Sequence, residues 1–215
     1  MISLEPSEKQ IALQEHFRRL AVKRLRPRSI LIDAAKPAGV DPDYRALIAE
    51  ENLNAFLIPE EYGGKSLDWM SLAILFEELG AGCAGFAAVY AQTFHSIAAL
   101  LIGGSEEQKK RFFPLLLPPG GHMASFCVTE EKSGSNTSSF STVFSRKGRS
   151  FLLNGAKEPI INAGQSRFYV VWANEEGARN RAGISAFLIP AGTEGLDFGP
   201  YHDKPGFRAA PTAAV

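Results

Sequence analysis

The sequence predicts an α+β multidomain fold: an N-terminal α-helical bundle followed by a small β domain of barrel or sandwich type. Two observations carry that prediction. Up to about residue 120, apolar residues recur at helical spacing behind recognisable caps. Beyond Gly121 the period drops to two, and short β-branched, aromatic-rich runs alternate with turn residues. The Pro118-Pro119-Gly120-Gly121 tract marks the change and divides residues 1–120, the helical domain, from residues 121–215, the β domain.

In chain order, Ser7 and Gln10 have capping-box spacing, and Leu13, Phe17 and Leu20 continue a helix that should stop near Pro27. A weaker segment, SILIDAAK, follows. Asp41 and Pro42 are a cap and a favoured first residue for YRALIAEENL. Pro59 and Gly63-Gly64 hold LIPEEYGGKSLD as a loop, with Ser66 expected to cap the next helix. That helix carries apolar residues from Trp69 to Leu79 over most of its circumference, so neighbours should bury it on several sides. Another runs from about Gly85 to Ile102 and stops at Gly103-Gly104. Ser105 and Gln108 repeat the capping box before EEQKKRFFPLL, completing a bundle of about five helices. The β part reads as MASFCVT, SFSTVFSRKG, SFLLNG, RFYVVWAN and ISAFLIPA, with Asn154-Gly155 as a turn signal. A sandwich or barrel fits this spacing better than a parallel α/β sheet. The ending PGFRAAPTAAV is extended and reads as the approach to a further strand, so the β domain is expected to be truncated.

Composition narrows the function. The 215 residues are 45% hydrophobic and 21% charged, with 23 basic and 23 acidic side chains, so no net field draws the chain to nucleic acid or a membrane surface. Cys83 and Cys127 form neither a disulfide framework nor a metal-ligand spacing; no metal site is expected, and a reducing, cytoplasmic setting is the expectation. The N-terminus is charged and periodic rather than a leader, and no run of about 18 apolar residues suggests a membrane span.

Five stretches, LIPEEYGG, GSEEQKKRFFP, FCVTEEKSGSN, LNGAKEPIINAG and GFRAAPT, resemble the acyl-CoA dehydrogenase family in order and approximate spacing. The resemblance covers essentially the whole chain. The family motif close to TEPGAGSD is matched by Thr129 to Asn136, and one close to NGxKxWITN by Asn154 to Asn162. It implies FAD as cofactor, an acyl-CoA or other acyl thioester as substrate, and α,β-dehydrogenation within fatty acid metabolism. An electron-transfer flavoprotein would be the electron acceptor, and the assembly would be a homo-oligomer or include a separate chain supplying a missing domain. The strand matching Phe126, Val128 and Thr129 would lie against the isoalloxazine, with the Thr129 hydroxyl bonding its pyrimidine part. Ser135 would contact both the FAD diphosphate and the acyl-CoA. Pro159, Ile160 and Ile161 would complete the cofactor site, Pro159 standing where the family has a flavin-flanking tryptophan and Ile161 where it has a threonine near N5. Glu131-Lys132 replaces the motif's Pro-Gly and is expected to put charge and bulk beside the cofactor. The family's catalytic base lies in a third, helical domain without counterpart in these residues, so no catalytic residue is assigned and the chain is not expected to be active alone.

Other readings remain open at this point. Altered surroundings of N5 would suit a related flavin monooxygenase or nitroalkane oxidase. A non-catalytic binding or assembly module would tolerate every departure from the motifs. His95 reads as a packed or hydrogen-bonded histidine, Cys127 as a buried strand residue, Lys109 to Phe113 as a solvated helix face beside two core aromatics, and Arg208 as structural. His122 and His202 fall in loops, and Glu60 and Glu61 are adjacent in a loop without the defined separation of an acid/base pair.

Overall fold

The computed structural model describes residues 5–36, 38–117, 120–137, 140–178 and 181–215. Pro118 and Pro119 of the expected boundary, and Ser139 at the head of the second expected strand, therefore lie outside the described residues.

Both capping boxes form. Ser7 caps α1 (Glu8–Leu20) and Ser105 caps α6 (Glu106–Phe112), each with its glutamine side chain returning to the cap backbone. Asp41 caps α3 (Pro42–Glu50) by accepting from the Asp43 N–H. Pro27 does not end the first helix. A π-helical turn over Ala21–Leu25, where the Arg26 N–H reaches back five residues to the Ala21 carbonyl, accommodates the proline and leads directly into α2 (Arg26–Ala34). SILIDAAK is thus largely helical, and the described helices number six rather than five. Ser66 does not cap α4 (Trp69–Gly82): its φ is +43°, and Asp68 accepts from the Ser71 N–H instead. Cys83 caps α5 (Ala84–Gly103), its sulfur accepting from the Phe86 N–H at 3.4 Å.

Helix α4 packs against α1 and α5, and α5 lies on the strands. Trp69, expected among buried neighbours, is 76% exposed at the start of α4. By length and composition alone α5 is long and apolar enough to cross a membrane, although Gln92, Thr93, His95 and Ser96 interrupt its apolar residues. Here it is a core helix, burying Phe86, Val89, Tyr90, Ile97 and Leu100.

The strands are β1 (Ala124–Cys127), β2 (Val143–Lys147), β3 (Ser150–Asn154), β4 (Ile160–Ile161), β5 (Phe168–Glu175), β6 (Ile184–Pro190) and β7 (Thr212–Ala213). β5 is the centre of the sheet. Along one edge β1 pairs with its first half and β2 with its end, both parallel; β6 runs antiparallel along the other edge. β3 extends β2 as a hairpin, and β4 pairs with β7 as a separate ribbon. The sheet is mixed and no closed barrel forms among the described strands, since β3 and β6 pair with different neighbours and not with each other. The period-two pattern of β5 divides the interior. Phe168 and Val170 join the large core shared with the helices, whereas Tyr169 and Val171 pack in a smaller one with Cys127, Ile160, Ala163 and Ala213.

Asn154-Gly155 is not a hairpin turn. The β2–β3 turn uses Gly148, and Gly155 follows the end of β3 at φ +153°, where a Cβ would stand 2.5 Å from the Thr142 Cα. Backbone contact, rather than chain reversal, demands the glycine. Gly155→Ala is expected to destabilise the chain by roughly 1–3 kcal/mol, read as a lower urea midpoint at unchanged m-value, while Gly148→Asn should cost far less because a Cβ there meets nothing within 4 Å.

Candidate functional site

A cleft of about 940 Å³ lies between α5 and the sheet. One wall is helical, with Gln92, His95 and Ala99. The other is built from the end of β1 and the two residues after it (Phe126, Val128, Thr129), the β4 segment (Pro159, Ile160, Ile161), and Val170, Trp172, Ala186 and Leu188 of β5 and β6. Six of the seven residues expected from sequence to hold a cofactor therefore line one cavity, although the two stretches they come from are 30 positions apart. Ser135 does not. It is exposed in the loop after β1, outside the cleft lining.

Local chemistry explains how the two stretches meet. Glu130 and Lys157 are both nearly inaccessible, at 5% and 1% exposure, and their charged groups meet at 2.8 Å. Lys157 Nζ also donates to the Val128 carbonyl at 3.0 Å and sits 3.8 Å from the Phe140 ring centroid. Glu130 accepts further hydrogen bonds from the Ser141 and Thr142 N–H groups. Burial alone would raise the Glu130 carboxyl, but hydrogen bonds from Lys157, Thr142 and Ser141 outweigh it and hold the group at about 2. Burial lowers the Lys157 ammonium while Glu130 pulls it back. Next to the pair, the Glu158 N–H donates to the Thr129 carbonyl, and the Ser125 hydroxyl donates to the Ile161 carbonyl. Asn162 ties the same segment to α5 by donating to the Val89 carbonyl.

Glu131 and Lys132 do not crowd the cleft. Glu130 and Ser133 exchange two backbone hydrogen bonds at 3.0 Å, closing a tight turn that leaves both intervening side chains exposed. The Ser133 hydroxyl continues the turn by donating to the Asn136 carbonyl.

The cleft is mostly apolar with few polar groups. The Thr129 hydroxyl has no protein partner among the described residues, and Gln92 accepts from the Phe126 N–H at 3.3 Å. The Trp172 Nε1–H is buried without a partner among the described residues, an orphaned donor on the cleft side of β5. This combination suits a planar, largely aromatic ligand with polar atoms along an edge, and so fits the flavin implied by the sequence. His95 packs its ring 5.8 Å from those of Phe94 and Phe126 and also lines the cleft, and desolvation lowers its pKa. No carboxylate lines the cleft among the described residues.

Trp172, Gln92 and Leu188 were not expected in the site. A signal for Trp172 was present, because it continues the alternation that points Phe168 and Val170 toward the helices. Gln92 and Leu188 belong to elements whose pairing is nonlocal. Elsewhere the expectations hold: Cys127 is buried, with burial raising its thiol to about 12 against the pull of Lys157. Phe112 and Phe113 are core residues, and Arg208 braces backbone by donating to the Ala35 and Lys204 carbonyls.

Residues 7–118 match the family model for the acyl-CoA dehydrogenase N-terminal domain, and residues 125–215 that for the acyl-CoA dehydrogenase middle domain. Cyclohex-1-ene-1-carbonyl-CoA dehydrogenase of Syntrophus aciditrophicus (strain SB) is 32% identical over 98% of this chain and 50% of its own length. The mitochondrial short-chain specific acyl-CoA dehydrogenase of Rattus norvegicus is 32% identical over 98% of this chain and 51% of its own. Among solved structures, an acyl-CoA dehydrogenase from Bacillus anthracis complexed with FAD superposes with a TM-score of 0.85 at 25% identity, covering 100% of this chain and 36% of that one. The chain thus spans about half the length of the curated relatives it matches.

Breaking the buried pair one side at a time should be costly. Lys157→Met leaves Glu130 as an unpaired buried charge and is expected to lose about 3–5 kcal/mol in urea unfolding, with much of that recovered in Glu130→Gln/Lys157→Met. Because the folded Glu130 carboxyl lies below its unfolded value, its contribution is full above about pH 4.5 and disappears as pH falls through about 2. The double substitution should flatten that acid limb, which stability measurements across the acid range would reveal.

Proposed function

The chain belongs to the acyl-CoA dehydrogenase family, and from that premise we propose that it forms the flavin-binding half of an FAD-dependent oxidoreductase acting at Cα and Cβ of an acyl-CoA or other acyl thioester. The observation that carries this reading is the convergence of Phe126, Val128, Thr129, Pro159, Ile160 and Ile161 on one apolar cleft. When bound, FAD supplies a hydride acceptor at N5. In the proposed site, Phe126 and Val128 provide an apolar wall that excludes water, and the free Thr129 hydroxyl bonds the pyrimidine edge. Pro159, Ile160 and Ile161 close the facing side without a side-chain hydroxyl. Ser135, exposed beyond the cleft, is proposed to reach the diphosphate and the acyl-CoA.

With no carboxylate in the cleft among the described residues, none of the residues lining it is proposed as the base that removes the α-proton. Completion of the site by a homo-oligomeric neighbour or a separate chain, and electron delivery to an electron-transfer flavoprotein, belong to the same proposal. So does the division into a helical domain, 1–120, and a β domain, 121–215. Two free, buried cysteines accord with a reducing compartment, for which we propose the cytoplasm.

Titration of the purified chain with FAD, followed by visible absorbance and flavin fluorescence, tests the reading. Saturable binding with a perturbed flavin spectrum is expected. Thr129→Val should weaken it about tenfold through loss of one hydrogen bond in a water-poor site. A flavin spectrum that stays that of free FAD throughout would overturn the proposal.

A further inference from the structure

We propose that Arg45, His122 and Arg167 form a second binding site, for a phosphate group, at the junction of α3, the turn before β1 and the loop before β5. The site stands independently of the flavin reading. Three segments distant in sequence bring the cations together. The Arg167 guanidinium lies along the His122 ring, with Nε 3.1 Å from Nδ1 and Nη2 3.3 Å from Nε2. Arg45 donates through Nη2 to the Gln165 side chain at 2.5 Å, and Gln165 donates to the Tyr201 hydroxyl at 3.0 Å, which fixes the guanidinium beside the same loop. Packing brings α3 and the turn into contact, since a Cβ on Gly121 would stand 1.9 Å from the Arg45 carbonyl oxygen.

Arg26, Arg111, Arg146 and Arg149 also form no ion pair among the described residues, so what sets this cluster apart is that cations from three segments converge with no anion among them. Among the described residues neither Arg45 nor Arg167 forms an ion pair, whereas Arg18, Arg24, Arg28 and Arg208 each have a carboxylate. The residues outside the description carry no acidic side chain, so they cannot supply one. Asp41, one helical turn before Arg45, is already engaged by Arg28 through both oxygens. Arg45 is held below its ordinary pKa by burial and by Arg167, and His122 by burial, Arg167 and Arg45, so the groups feel one another's field. The Nη1 groups of both arginines donate to no protein acceptor among the described residues. Two half-fixed guanidiniums with free donors, an adjacent imidazole and uncompensated positive charge match the tetrahedral oxyanion of a phosphate group.

Nuclear magnetic resonance of the full chain, observing backbone amides and arginine Nε–H groups, tests the proposal by titration with inorganic phosphate at ionic strength held constant with chloride. Saturable shifts are expected at Arg45, Gly121, His122 and Arg167. Arg45→Gln and Arg167→Gln should each weaken phosphate about tenfold or more, while Arg149→Gln on the β2–β3 turn leaves it unchanged. Unaltered β5 amide positions would show that the variants remain folded, and Arg45→Lys, which keeps the charge, should retain weakened binding. Shifts that chloride reproduces, that do not saturate, or that persist in both glutamine variants would overturn the site. Parallel titrations distinguish the source of the phosphate group: tighter binding of coenzyme A than of inorganic phosphate at these residues identifies a carrier phosphate, and equal binding identifies free phosphate.

Discussion

The buried contact between Glu130 and Lys157 is the constraint on which the cleft depends. Each partner belongs to one of the two motifs, and neither would tolerate burial without the other. Such a pair adds little net stability over an apolar replacement, because desolvating both ions offsets most of their attraction. Its effect is positional. Lys157 can reach Glu130 and the Val128 carbonyl together only if the segment after β3 lies across the end of β1. Thr129 and Pro159, each within two residues of the pair, are thereby placed in the same cleft.

The remaining anchors carry that placement outward. Ser125 fixes the Ile161 carbonyl, Asn162 fixes the segment to α5 at Val89, and the Lys157 backbone exchanges two hydrogen bonds with Val215. Helix α5 then serves both structure and site. Its buried stripe fills the core, and Gln92, His95 and Ala99 form the opposite wall of the cleft. An apolar helix placed between a bundle and a sheet explains why its composition alone resembles that of a membrane span.

Much of this was legible in the sequence where the signal was local. Ser7, Asp41 and Ser105 act as caps because a cap needs only a side chain and the next three amides. Six residues named from the motif stretches share one cleft because they fall in two short runs of the chain. Failures share a cause: a local cue was overruled by a distant contact or by the chain's own geometry. Pro27 carries the local signature of a stop, yet a π turn absorbs it. Asn154-Gly155 has the local signature of a turn, yet close contact with Thr142, just before β2, is what requires the glycine. Trp172 and Leu188 reach the cleft through the pairing of β5 with β1 and β6, which no short window of sequence reveals.

Departures from the family motifs fall into two physical classes, and the distinction bears on chemistry. Glu131 and Lys132 alter side chains that point to solvent, while the turn itself is held by the reciprocal backbone bonds of Glu130 and Ser133 and by the buried pair. That substitution leaves the cleft wall unchanged. Pro159 and Ile161 are different, because both line the cleft. Ile161 supplies the β-branched shape a strand favours and the carbonyl to which Ser125 donates. Pro159 likewise leaves Lys157 and the Glu158–Thr129 bond in place. Pro159 and Ile161 thus sit in backbone frames held by the Glu158–Thr129 and Ser125–Ile161 bonds while presenting apolar side chains to the cleft.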